Sequence, residues 1–160
     1  GEPSISPDGR TVVFSARDGT DDDIFSIRVG GSNPINLTPD SNGDEKFPAV
    51  SPDGEYIAYS SSKDPGGIFI MGATGEDSRR ITDSGFDPDW SPDGSQLVFT
   101  SEEVLTELRE QLGDVSPDNG YAGTAAIARP NGADAPAEGH YYAAPASAIR
   151  AASSPGSRLP

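Results

Sequence analysis

An all-β fold of repeated, antiparallel, four-stranded units is predicted for residues 1–103 of this 160-residue chain, and three observations predict it. The turn Ser-Pro-Asp-Gly stands three times, at Ser6–Gly9, Ser51–Gly54 and Ser91–Gly94, each behind a Pro-x-apolar triplet. An apolar run follows each turn at one offset: Val12-Val13-Phe14, Ile57-Ala58-Tyr59 and Leu97-Val98-Phe99. The turns recur after 45 and 40 residues, and periods near 40 with four short strands each mark the blades of a β-propeller.

Each turn predicts a hairpin. Proline presets φ near −65° at the second turn position, aspartate can bond back to nearby amides, and glycine takes the conformation other residues resist. The structural motif is therefore Ser6, Pro7, Asp8, Gly9, then Ser51, Pro52, Asp53, Gly54, then Trp90, Ser91, Pro92, Asp93, Gly94. The apolar residue before each turn (Ile5, Val50 or Trp90) is expected to end a strand with its side chain inward. The β-branched and aromatic runs after the turns read as strands buried on both faces. The expected core is Ile5, Phe14, Phe25, Val50, Tyr59, Phe69, Trp90 and Phe99.

In the first blade, residues 2–38, the hairpin leads through an acidic loop, Asp18–Asp23, to a strand at Ile24–Ile27, a Gly30-Gly31 turn and a short strand ending at Asn36-Leu37-Thr38. The second blade, residues 47–82, repeats this order with the strand Ile68–Met71, a turn at Gly75 and the end Arg80-Ile81-Thr82. Ile24 precedes Thr38, and Ile68 precedes Thr82, by the same 14 residues. The longer loop Pro39–Lys46 absorbs the difference between the two periods. A half blade follows at residues 87–102.

The combined pattern (Pro-x-apolar, Ser-Pro-Asp-Gly, the apolar run, Asp-Ile-Phe at Asp23–Phe25, a glycine turn, then Asn-Leu-Thr or Arg-Ile-Thr) resembles the TolB-type β-propeller repeat. The resemblance covers Glu2 to about Glu102. It implies blades of four antiparallel strands around an axis, used as a binding scaffold. Hosts of such repeats include periplasmic proteins, the propeller domains of prolyl-oligopeptidase-like and tricorn-like peptidases, and sensor regions of bacterial kinases. A periplasmic or extracytoplasmic location follows from the resemblance alone.

The third repeat departs from the family. Its third and fourth strands are missing after Ser101, and residues 104–113 read as a short helix with Val104, Leu105, Leu108 and Leu112 on one face. Thr100 to Glu103 has capping-box spacing, and Gly113 sits where a helix stops. Residues 114–160 turn to Ala, Pro, Gly and Ser, and a largely irregular tail is expected there because it has little apolar surface to offset ordering entropy. Two and a half blades do not close a ring, so the remaining blades must come from a longer parent protein or from other copies of the chain.

Composition excludes several functions. There is no cysteine, hence no disulfide framework and no thiolate metal site. The net charge of −15 repels nucleic-acid phosphate, and no apolar run suits membrane insertion. The sole histidine, His140, lies in the tail, and no Gly-x-Ser-x-Gly elbow is present, so no catalytic residue is assigned. The glycine pairs Gly30-Gly31 and Gly66-Gly67 lack the lysine and helix start of a phosphate loop, so no cofactor site is assigned either.

Calcium is the one cofactor for which residues can be offered: Asp18, Asp21, Asp22 and Asp23 in one loop, and Asp40, Asn42 and Asp44 in another. Counted from Asp40, the EF-hand positions for glycine and for the bidentate glutamate hold Glu45 and Ser51, so that reading fails. Asn36-Leu37-Thr38 matches a glycosylation acceptor but is placed as a strand end. The function expected is a non-catalytic module that binds a protein or peptide. Its candidate surface is Asp18–Asp23, Asp40–Lys46, Lys63–Gly66 and Asp83–Asp87. The alternative is a substrate-gating propeller of a peptidase whose catalytic domain lies elsewhere.

Overall fold

The computed structural model of the protein describes residues 3–100, 124–128 and 142–143. It contains three four-stranded sheets, each in plain sequential order and antiparallel throughout. The first holds β1 (Ser4–Ile5), β2 (Thr11–Asp18), β3 (Asp21–Arg28) and β4 (Ile35–Asn36). The second holds β5 (Glu45–Val50), β6 (Tyr56–Ser61), β7 (Gly67–Gly72) and β8 (Arg79–Arg80), and the third β9 (Phe86–Trp90), β10 (Leu97–Thr100), β11 (Thr124–Ala128) and β12 (Tyr142–Ala143).

The three Ser-Pro-Asp-Gly turns build one hydrogen-bonded cage. The serine hydroxyl donates to the aspartate Oδ1 at 2.6, 2.5 and 2.6 Å in turn, and that oxygen also accepts the amide two residues on, at 3.0 Å each time. The serine Oγ accepts the amide five residues on (Thr11, Tyr56 or Gln96) at 2.9 to 3.0 Å. Gly9, Gly54 and Gly94 close the turns at φ of 70°, 78° and 72°, where a side chain would be strained.

Packing between sheets follows the two-residue period of the strands. Ile57, Tyr59 and Met71 of the second sheet meet Val13, Ile24 and Leu37 of the first, with Val50 and Phe69 against them. Its opposite face, Ala49, Ala58, Ile68 and Ile70, meets Trp90, Leu97 and Phe99 of the third. The Trp90 indole Nε1 donates to the Ala49 carbonyl across this seam at 2.9 Å, and the Val50 amide donates to Ser4 Oγ across the other at 3.0 Å. The turns stack too: a Cβ on Gly54 would meet Pro7 Cδ at 3.5 Å, and one on Gly94 would meet Pro52 Cδ at 3.7 Å.

Four expectations need correction. Burial on both faces holds for β6 of the second sheet; in β2 only Val13 is buried, and in β10 burial alternates. Ile5 is 58% exposed instead of core, because among the described residues no sheet lies against its face of the first sheet, and Phe14, Phe25, Val50 and Phe69 are half-buried. The third sheet is four-stranded, not half a blade: β11 pairs with β10 from Leu97↔Ala128 to Thr100↔Ala125, and β12 pairs with β11. Alanine-rich sequence hid these strands, since backbone pairing and not side-chain pattern defines them. Asp21–Asp23 belong to β3 and not to a loop, the hairpin needing only Gly19-Thr20 to turn. The expected helix at 104–113 and His140 lie outside the described residues.

One regularity had no sequence expectation. Phe47 and Asp87 take positive φ, 55° and 56°, each just before a proline, and the β5–β6 and β9–β10 ladders shift register there. Proline has no amide to donate, so β5 and β9 bulge at that point. Trp90→Ala is expected to cost about 3 to 5 kcal/mol, and Trp90→Phe about 1 to 3 kcal/mol for the carbonyl left unpaired, both measured by urea denaturation.

Candidate functional site

Strand direction alternates through each sheet, and this sorts the connections into two ends. The Ser-Pro-Asp-Gly turns and the β3–β4 and β7–β8 turns share one end. The β2–β3 and β6–β7 turns and the β4–β5 and β8–β9 connections share the other. Asp18–Asp23, Asp40–Lys46, Lys63–Gly66 and Asp83–Asp87 therefore converge on a single loop end.

At that end the two acidic stretches offered as calcium ligands meet, and a lysine stands between them. Lys46 Nζ lies 2.9 Å from Asp22 Oδ2 and 2.9 Å from Asp44 Oδ2, while the Asp22 amide donates to Asp44 Oδ1 at 3.0 Å. The hydrogen bond to Asp44, then that to Asp22, holds the Lys46 pKa above the ordinary lysine value, and the same ammonium holds Asp44 below the carboxylate range. Arg17 adds a longer contact to Asp22, 3.8 Å. Asn36 Nδ2 donates to Asp23 Oδ2 at 2.8 Å and to Asp18 Oδ2 at 3.2 Å, and the Thr38 hydroxyl donates to Asp23 Oδ1 at 3.2 Å. Asp40 and Asn42 are exposed on the β4–β5 connection, and Asp21 opens β3 opposite Asp18. Among the described residues no three Asp, Glu or His side chains are grouped to hold a metal ion.

From this cluster a cleft of about 540 Å³ runs between the β4–β5 connection and the second sheet to the β7–β8 turn, where Thr74 and Ser78 line it. Thr38, Asp40 and Ser41 line one side, and Glu45, Tyr59 and Phe69 the other. Tyr59 stacks on Phe69 with centroids 5.8 Å apart and shares a hydrogen bond with Ser78 Oγ at 2.6 Å. Glu45 is 1% exposed; its Oε1 accepts from Ser61 Oγ at 2.7 Å, and its Oε2 has no partner at hydrogen-bond geometry. Burial pushes the Glu45 pKa up; the Ser41 and Ser61 hydroxyls oppose the shift, and the charges of Asp23 and Asp44 add to it. Nothing local in the sequence separates Glu45 from its acidic neighbours, because its burial comes from pairing with Ser61 in the second sheet.

The motif residues Ser6, Asp8, Ser51, Asp53, Ser91 and Asp93 sit at the opposite end and act in the turns themselves. Each aspartate is held below the usual carboxylate range, first by the serine hydroxyl and then by the backbone amide; Asp93, with Ser95 adding a further hydroxyl, is lowered to about 2.

No family model matches the chain. It is 34% identical over 83 residues to the Tol-Pal system protein TolB of Francisella tularensis, covering 50% of this chain and 19% of that protein. It is 29% identical over 114 residues to an uncharacterized peptidase, YuxL, of Bacillus subtilis, covering 62% of this chain and 17% of the peptidase. The chain thus spans less than a fifth of either relative. Among solved structures, a candidate TolB from Agrobacterium tumefaciens superposes with TM-score 0.61 at 25% identity, over 79% of this chain and 44% of that one. The β-propeller domain of the Trilobed protease from Pyrococcus furiosus shares the fold, with TM-score 0.51 at 16% identity over 81% of this chain and 38% of its own.

Two pH effects of opposite sign are expected. Asp8, Asp53 and Asp93 bind protons more weakly folded than unfolded, so their contribution is present above the ordinary carboxylate range and is lost on acidification, for Asp93 as pH falls through about 2. The triple Asn variant is expected to lose that part of the acid slope in urea midpoints. Glu45 binds its proton more tightly folded, so its cost is present at neutral pH and vanishes on acidification. Glu45→Gln is expected to raise the melting temperature at pH 8, the gain shrinking to nothing near about pH 4.

Proposed function

We propose, from the similarity to TolB in sequence and in fold, that this TolB-type β-propeller segment is a non-catalytic module that binds a protein or peptide at the loop end of its sheets. The observation that carries this reading is the convergence of four separate loop stretches on one end, with more acids than bases among them. Lys46 is already engaged with Asp22 and Asp44, so the field offered to a partner there is negative. Such a surface attracts a basic polypeptide, and exposed rim charges act mainly on the association rate. The adjoining cleft supplies aromatic surface at Phe69 and hydroxyls at Thr38 and Ser41. By resemblance to TolB the module works outside the cytoplasm, and among the described residues no helix is long and apolar enough to cross a membrane.

A second reading, a substrate-gating propeller of a prolyl-oligopeptidase-like or tricorn-like peptidase, is favoured by the relation to YuxL and the fold shared with the Trilobed protease propeller. A serine-hydrolase segment in the same gene would select it.

Peptide display against the immobilised protein tests the first reading. Selected binders are expected to carry net positive charge, and their affinity to fall at least about tenfold for a chain with both Asp21→Lys and Asp40→Lys, chiefly through slower association. Binders without charge bias, indifferent to both substitutions and to salt, would refute it.

A further inference from the structure

Among the described residues, Glu45 Oε2 is the buried side-chain oxygen left without a partner, and the repeat does not require a carboxylate at that position. Gly85 stands before Ser91 as Glu45 stands before Ser51, and a Cβ on Gly85 would run into the Phe99 ring. The third sheet thus builds the same bulged strand with no side chain at this point. A buried carboxylate paired at one oxygen only is costly to keep ionised, so its presence in the second sheet calls for a reason outside the fold.

The carboxylate is directed into the cleft. Glu45 lines one wall, and the Ser41 hydroxyl on the facing wall acts on it without reaching hydrogen-bond geometry. Neighbouring hydroxyls are already committed. Ser61 Oγ donates to Glu45 Oε1 and accepts the Lys63 amide at 3.1 Å, Thr38 Oγ1 donates to Asp23 and accepts the Ile24 amide at 3.0 Å, and Tyr59 shares its hydrogen bond with Ser78. Nearby cations give Glu45 no counter-ion: Lys46 is held by Asp22 and Asp44, Arg17 lies against Asp22, and Lys63, exposed on the cleft wall, makes no ion pair among the described residues. The charges of Asp23 and Asp44 make the place more negative still.

On the reading of the loop end as a site for a basic polypeptide, we infer that the cleft takes one lysine side chain of that polypeptide, its ammonium meeting Glu45 Oε2 and its methylene stem lying along Phe69. The volume of about 540 Å³ falls within the roughly 300 to 1,000 Å³ of small-ligand sites, enough for the stem as well as the charge. Lysine is selected over arginine because Ser61 already holds Oε1. One free oxygen suits a compact ammonium, whereas a guanidinium fork matches two and would bury N–H groups unpaired. A divalent cation is not served, since among the described residues no three acidic or histidine side chains are grouped to hold one.

Calorimetric titration of the full chain with tetralysine and with tetra-arginine, peptides of equal side-chain charge, tests the lysine site. The acidic rim attracts both alike, so the cleft alone tells them apart. Tetralysine is expected to bind at least about tenfold more tightly than tetra-arginine, and Glu45→Gln, which keeps the size of the side chain and an acceptor for Ser61, to remove that preference. Circular dichroism checks that the variant is folded. Added salt is expected to weaken both peptides by the same factor, leaving their ratio unchanged. Equal, salt-sensitive affinities for the two peptides overturn the lysine site and leave the basic-polypeptide reading standing. A lysine preference that survives Glu45→Gln also overturns the site, and absence of binding by either peptide overturns both.

Discussion

The apolar seam between neighbouring sheets is the contact on which the rest of this molecule depends. A two-stranded hairpin is marginal in water, and even a four-stranded sheet with one bare face buries little. Here the second sheet is sandwiched: Ile57, Tyr59 and Met71 look one way and Ala58, Ile68 and Ile70 the other. Small alanines on one side make room for Trp90, whose indole fills the space and reaches back to the Ala49 carbonyl. The seams are thus apolar in area but fixed in register by hydrogen bonds from β5 and β9: the Val50 amide to Ser4, the Trp90 indole to the Ala49 carbonyl and the Asp87 amide to Ser60.

The turns keep that register from slipping. A one-residue shift would exchange the two faces of a strand and ruin both seams at once. The serine–aspartate cage opposes the shift by tying the turn to the amide that begins the next strand, and stacking of Pro7 on Gly54 and Pro52 on Gly94 carries the alignment from sheet to sheet. The motif aspartates are therefore ionised structural acceptors, their carboxylates held by serine hydroxyls and amides at the end away from the loops.

The opposite end carries a different kind of chemistry. The loop end collects acids, and the fold offsets part of their repulsion internally, with Lys46 between Asp22 and Asp44 and Asn36 between Asp18 and Asp23. Glu45 lies beneath this charge in a place where ionisation is costly, so it responds to pH in a direction opposite to Asp44 and to the turn aspartates.

The sequence by itself determined the three hairpins, their Ser-Pro-Asp-Gly turns and the order of strands in the first two sheets, because these follow from local turn chemistry and a two-residue apolar period. Tertiary structure alone decided which faces are covered. Ile5 and Trp90 occupy the same repeat position, yet one is exposed and the other buried, since burial needs a neighbouring sheet and not merely an apolar side chain. It also decided that Asp22 and Asp44 share a lysine, that Glu45 is buried opposite Ser61, and that alanine-rich segments at 124–128 and 142–143 complete the third sheet, because backbone pairing between distant segments leaves no local trace in the amino-acid pattern.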